Sequence, residues 1–305
     1  MDHTRNRASC GLALDPTITP TPKQDTKKMK PRDLLIYADQ LNTLELPQTI
    51  TKEQLLFELT HTPSGNRRKL GGHSVKTDKG TKKGVLTMPI YMSPHREGGK
   101  NMCAGASAGC IKACLGHSSG HMRFDMQTRA RIAKTMFFQL YPDEFLAQYN
   151  DEIEAHARKA KRDDMLAAYR GNGSTDIRWE KYGIPQAHPD KQFYDYTKHT
   201  AKARASRPDN YHLTFSVSER ANSLDMARDW LDSGANAAIV VAGKSHKIND
   251  AKDAAARLIQ SGFMGYPCID GDETDIRFDD PAGHWVVLYA KGAALHDRTG
   301  FVHRI

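Results

Sequence analysis

Cysteine is scarce in this chain: five residues in 305, an odd number. A disulfide framework is therefore not expected, and a reducing compartment such as the cytoplasm suits the thiols better. Long apolar runs are missing as well. No stretch approaches the roughly 18 residues needed to span a bilayer, so no membrane partner is expected. The opening residues, Met-Asp-His-Thr-Arg-Asn-Arg, have no apolar segment behind them and do not read as a secretory signal. Acidic residues are nearly absent between positions 61 and 100. There Arg67, Arg68, Lys69, Lys76, Lys79, Lys82, Lys83, Arg96 and Lys100 face only Asp78 and Glu97, so +7 of the net +8 charge lies in that stretch. Such a segment can follow a phosphate backbone, which makes nucleic acid a candidate partner through residues 61–100. A solvated connector is the plainer reading of the same charges.

What is present is a soluble composition, 39% hydrophobic and 26% charged, with enough length for a sizeable core. Residues 1–60 read as an arm, poorly ordered over its first thirty residues, with short helices over Asp33 to Leu41 and from Thr51 through Leu55, Leu56 and Leu59. Residues 61–83 read as a polar, basic connector. From 84 to 305 the pattern is that of one α/β domain. Apolar runs at 84–92, 165–170, 192–196, 211–216, 236–242 and 285–289 predict about six strands. Helices are predicted over 123–140, 142–161, 222–231 and 251–260. In the first, Met126, Ala130, Ala133, Phe137 and Leu140 recur on one face. Strand and helix in alternation imply a mostly parallel sheet with crossover helices. With too few strands to close an eight-stranded barrel, a partial or distorted (β/α) barrel or an open sheet is expected.

Three of the five cysteines crowd into one small-residue loop, Cys103-Ala-Gly-Ala-Ser-Ala-Gly-Cys110-Ile-Lys-Ala-Cys114. The loop follows a strand and precedes a helix, at the carboxyl end of the predicted sheet, where ligand sites concentrate. Zinc sites usually pair their cysteines two to four residues apart; here the first gap is six. Three thiolates with no evident fourth suit a [4Fe–4S] cluster with one open iron. Cys268, His117 and His121 are candidates for a fourth ligand.

Together with Phe193-Tyr-Asp-Tyr-Thr-Lys198, Tyr211-His-Leu-Thr-Phe-Ser216, Ile269-Asp-Gly-Asp272, Asp275, Arg277, Lys291-Gly292 and Asp297 through Val302, the loop resembles the phage family called gene product eighty-eight over roughly residues 84–305. The resemblance implies a cluster held by Cys103, Cys110 and Cys114 in a barrel similar to that of radical S-adenosylmethionine enzymes. A phage protein would act in the host cell cytoplasm. Those enzymes usually space their cysteines by three and then two residues. Here the gaps are six and three, with Ala113 where an aromatic commonly precedes the last cysteine. That departure bears on whether S-adenosylmethionine is a second cofactor or a small molecule binds the open iron directly.

Other polar groups, Asp195, Lys198, Ser218 and Glu219 among them, gather at or beyond predicted strand ends. Asn172, Ser174 and Asp176 follow a strand in a glycine-bearing turn, where S-adenosylmethionine would be held by analogy. His212 and Ser216 alternate onto one strand face with Thr214, giving a polar lining. Lys244 to Lys247 form an anion site or a charged loop. Asp270 to Asp275 read as a tight turn rather than a calcium loop. The leading reading is an iron–sulfur protein with a radical-enzyme-like barrel. The alternative is a nucleic-acid-associated protein with a structural or redox-sensing iron–sulfur or zinc centre, and a zinc-stabilised interaction protein is the third.

Overall fold

The computed structural model describes residues 52–62, 64–115, 122 and 124–305. The expected helix over Asp33 to Leu41, the fifth cysteine, Cys10, and the two histidines of the cysteine loop lie outside the described residues. Eight parallel strands form one sheet: β1 Val85–Pro89, β2 Leu166–Arg170, β3 Gln192–Thr197, β4 Tyr211–Ser216, β5 Asn236–Ala242, β6 Cys268–Asp270, β7 Trp285–Tyr289 and β8 His303–Arg304. Their order is β1-β2-β3-β4-β5-β7-β6, with β8 on β5. The first five strands follow one another in chain order. Right-handed crossovers between strands in that order would place their helices on one face, as in a barrel; from β6 to β7 the chain steps back, and Ile276 and Phe278 of that connection pack on the other face with Ala168 and Tyr194. The sheet does not close: β6 and β1 are its two edges. β4 pairs with β5 at Asn236 to Ala238, and β8 takes the same side of β5 only at Val241 and Ala242.

The helices are α1 Lys52–Thr60, α2 Val75–Thr81, α3 Ala108–Lys112, α4 Asp125–Leu140, α5 Pro142–Arg162, α6 Ile184–Ala187, α7 Ser223–Asp232 and α8 Ile248–Ser261. None of the described helices is long and apolar enough to cross a membrane. α5 shows why its boundaries fall where they do. Pro142 occupies its first turn with Asp143 and Glu144, and Lys159, Lys161 and Arg162 end it, so charge opposes the helix dipole at both ends. Alternate strand residues face these helices: Met88, Tyr169, Phe193, Leu213, Phe215, Ile239, Val241 and Val287 share one core with Phe137, Phe145, Ile153, Trp230 and Leu258. Met126, expected on the apolar face of α4, is 76% exposed. The first turn of α4 runs past the core, and burial begins at Arg131 and Ile132.

Residues 61–83 are not a plain loop. Ser74 and Thr77 form a reciprocal capping box that starts α2. Lys76 pairs with Asp275, Lys79 Nζ donates to the carbonyl of Asp272 and Lys83 pairs with Glu273. Arg68 donates to the carbonyls of Leu59 and His61. Several cations that gave this segment its predicted affinity for phosphate are thus turned onto the protein itself. The Asp270 to Asp275 stretch is a turn, with Asp272 N donating to Asp270 Oδ1.

Candidate functional site

The cysteine loop docks over the carboxyl ends of β3, β4, β5 and β7. Ala113 is buried and packs with Ala242, Ala290, Ala294 and Val302. Only a small side chain suits that contact, which accounts for alanine where an aromatic would be unremarkable. Glu219, just past β4, clamps the start of α3: it accepts from Ser107 Oγ (2.5 Å) and Gly109 N (2.6 Å). Two glycines let the loop lie close. A Cβ at Gly105 would stand 2.7 Å from Lys198 Cβ, and one at Gly109 would collide with Thr299 Oγ1 and lie 2.8 Å from Phe301 Cβ. Asp297 holds the facing tail by accepting from the amides of Thr299, Gly300 and Val302.

Cys103, Cys110, Cys114 and Cys268 form no disulfide. The first three are electrostatic neighbours of one another. Cys103 Sγ accepts from His95 N (3.3 Å) and lies 3.7 Å from the carbonyl of Ser174. His95 holds a positive φ of 38°, an uncommon conformation for a residue with a side chain. Burial pushes the Cys103 thiol up to about 12 and raises Cys110, which Lys198 opposes. Lys198 Nζ donates to Ser216 O, Ser216 Oγ and Val217 O, at 2.9–3.1 Å. Burial lowers its pKa, and Cys110, Asp176 and Glu219 act in the other direction. Arg131, buried and donating to Met122 O, feels the charge of Cys114. Among the described residues, no three His, Cys, Asp or Glu side chains stand close enough to share one metal ion.

The five polar residues expected around a cofactor separate. Ser216 carries Lys198, and Ser174 and Asp176 back the cysteine loop: Asp176 N donates to Met102 O, and Asp176 Oδ2 accepts from Lys198 N. Asn172 instead enters the helix-facing core, bonded to Asp195 and the carbonyl of Ile177. His212 lies at the other end of β4, where burial, then Arg207 and Arg277, lower its pKa to about 4. Cys268 opens β6 within the main core, so it stands apart from the other three thiols. Lys244 to Lys247 are a structured turn: Ser245 N donates to Asp250, and His246 contacts the carbonyl of Leu295. Sequence reading placed Glu219 among the polar groups at strand ends but missed Arg131 and Arg204. Arg204 is fully buried against Glu180 (2.8 Å) with Asp176 at 3.5 Å. Glu219 and Arg204 act on partners 24 or more positions away, which no local pattern announces.

Fold and site together define an open, singly wound α/β half-barrel carrying a three-cysteine loop over its carboxyl-end mouth. Residues 61–305 match the model of the family described as Gene product 88, and the chain belongs to that phage family. The match begins at 61 and so includes α2. No curated protein and no solved structure matches the chain.

Proposed function

We propose that this chain is an iron–sulfur protein in which Cys103, Cys110 and Cys114 would hold a [4Fe–4S] cluster at the mouth, leaving one iron open to a small molecule. The observation that carries this reading is the setting of the three thiols: one loop, seated on the sheet's carboxyl end, with the buried cations Lys198 and Arg131 beside it. A cluster on three thiolates is anionic, and those cations would offset its charge. Thiols that burial keeps protonated ionise when a metal replaces the proton. A single zinc, with bonds of about 2.3 Å, would need its ligands around one ion, whereas a cluster takes one cysteine per iron.

Such a cluster supplies electron transfer, or Lewis acidity at its open iron. S-adenosylmethionine is one candidate for that position, with Ser174, Asp176 and Ser216 nearest among the polar groups considered for it. Lys198 positions the end of β4 against the loop, and Glu219 fixes the loop's backbone. The second reading, nucleic acid held by residues 61–100, has less support, because Arg68, Lys76, Lys79 and Lys83 already bond within the protein. Iron and acid-labile sulfide after anaerobic purification test the proposal. About four of each per chain are expected, with loss in Cys103→Ser, Cys110→Ser and Cys114→Ser. About one zinc and negligible iron, or serine variants that keep full iron and sulfide, would overturn it.

A further inference from the structure

Two adjoining cavities, of about 330 and 550 Å³, open on either side of Ala104 in the cysteine loop and share that residue and His199. Together they are large enough for a small organic ligand. The smaller is lined by Lys198, Ser216, Ser218, Arg220 and Ser223, and among the described residues no acidic one contributes to it. Asn222 and Ser223, also in its wall, begin the ten-residue helix α7, whose N-terminus has no side-chain cap. An N-terminus without a side-chain cap, the positive end of the helix dipole and Arg220, which commits only one nitrogen to the carbonyl of Ala106, make that end of the groove a seat for an anion. The larger cavity adds Lys100, Arg178 and Lys181, with Asp176 as its acidic residue. Asp176 is already taken up by Arg204 and the amide of Lys198. Its far wall is aromatic: Tyr182 is 44% exposed and braced edge-on by Phe138 at 5.2 Å between centroids.

An arginine and a helix N-terminus at one end, an aromatic face among further cations at the other and the thiol loop between them are the complement of one ligand class. We infer that this groove binds a nucleotide, its phosphate at Arg220 and the start of α7 and its base against Tyr182. The inference deepens the iron–sulfur reading by naming the substrate class that would lie beside the cluster. Phosphate recognition thereby moves from the basic N-terminal segment to the mouth of the sheet. A free mononucleotide and a nucleotide within a single strand offer the same chemistry, since stacking is indifferent to base identity and the cations follow the phosphates.

The full-length protein is titrated with adenosine 5′-monophosphate and with a labelled thymidine single strand of about eight nucleotides, at fixed salt. Binding of either probe is expected, weakened at least tenfold by Arg220→Ala and by Tyr182→Ala. Both residues are exposed, and circular dichroism checks that each variant is folded. Lys83→Ala should leave binding unchanged. Preference for the first probe identifies a mononucleotide site and preference for the second a strand-binding groove. No binding of either probe, no effect of Tyr182→Ala, or equal weakening by Lys83→Ala would overturn the inference. Iron and sulfide are measured on the same samples. Nucleotide binding without a cluster removes only the iron–sulfur reading, and a loaded cluster without nucleotide binding removes only the groove.

Discussion

At Asp195 burial opposes three donated hydrogen bonds. The carboxylate accepts from Asn172 N (2.8 Å), Asn172 Nδ2 (3.0 Å) and Tyr211 Oη (2.7 Å), and each bond favours its ionised form. Burial still wins and pushes its pKa from 3.8 up to about 7. The folded chain therefore keeps a proton that the unfolded chain gives up. The resulting stabilisation is complete below the unfolded value, declines as pH rises to about 7, and is gone above that. His212, lowered to about 4, has the opposite sign, since its contribution is lost as pH falls below about 6.5. The two slopes overlap, so a wild-type pH curve alone hides both. Comparison with Asp195→Asn isolates one. Urea unfolding at pH 5, 6, 7 and 8 should show wild type more stable at pH 5, with the gap narrowing toward pH 8 by at most about 1.4 kcal/mol per pH unit. Parallel curves would mean that Asp195 does not titrate in this range.

Among elements, the cysteine loop is held by contacts that tolerate no added atom at Gly109. A Cβ there meets Thr299, Phe301 and, at 2.9 Å, Glu219 Cδ. Gly109→Ala should lift α3 off the mouth while leaving the sheet intact. Reaction of Cys110 with a thiol reagent is then expected to quicken several-fold, with unchanged circular dichroism. A rate equal to wild type would show that the loop is not seated by this contact. The loop itself was legible in the sequence, because three cysteines among glycine and alanine are unusual. So were β4, β5 and β7, whose apolar runs mark the same residues that form them: Tyr211–Ser216, Asn236–Ala242 and Trp285–Tyr289. α2 was not legible. Val-Lys-Thr-Asp-Lys-Gly-Thr has no apolar period, and what holds it is a capping box and lysines whose partners lie some two hundred positions away. β6 and β8, of three and two residues, are too short to show alternation and depend on pairing with β7 and β5. Glu219 was legible as a polar group at a strand end, but its role as a clamp arises only when β4 brings it to Ser107.

For the whole molecule, the question is how an unclosed barrel keeps its two edges together. β1 and β6 do not pair, and α2 lies between them: it packs on β1, and Gly80 approaches Ile276 beyond β6 at 3.5 Å from a Cβ position. Asp275 is the centre of this seam, 1% exposed, bonded to Arg170 at the end of β2 and to Lys76 of α2 at 3.3 Å. Burial raises its pKa, but Arg170, Lys76 and Arg277 pull it below 3.8 overall. Its stabilisation is therefore present above that value and lost as pH falls through the acid range, the reverse of Asp195. Asp275→Asn would leave Arg170 buried without its counter-charge, at a cost of about 3–5 kcal/mol. The Lys83–Glu273 pair spans the same seam, but both side chains are more than half exposed. Water screens such a pair, so Lys83→Ala should leave the unfolding midpoint close to wild type. Urea midpoints at pH 7 decide between the two kinds of contact. A large loss for Asp275→Asn with little change for Lys83→Ala means that buried charge closes the barrel. Equal losses would place the closure in the surface pairs instead.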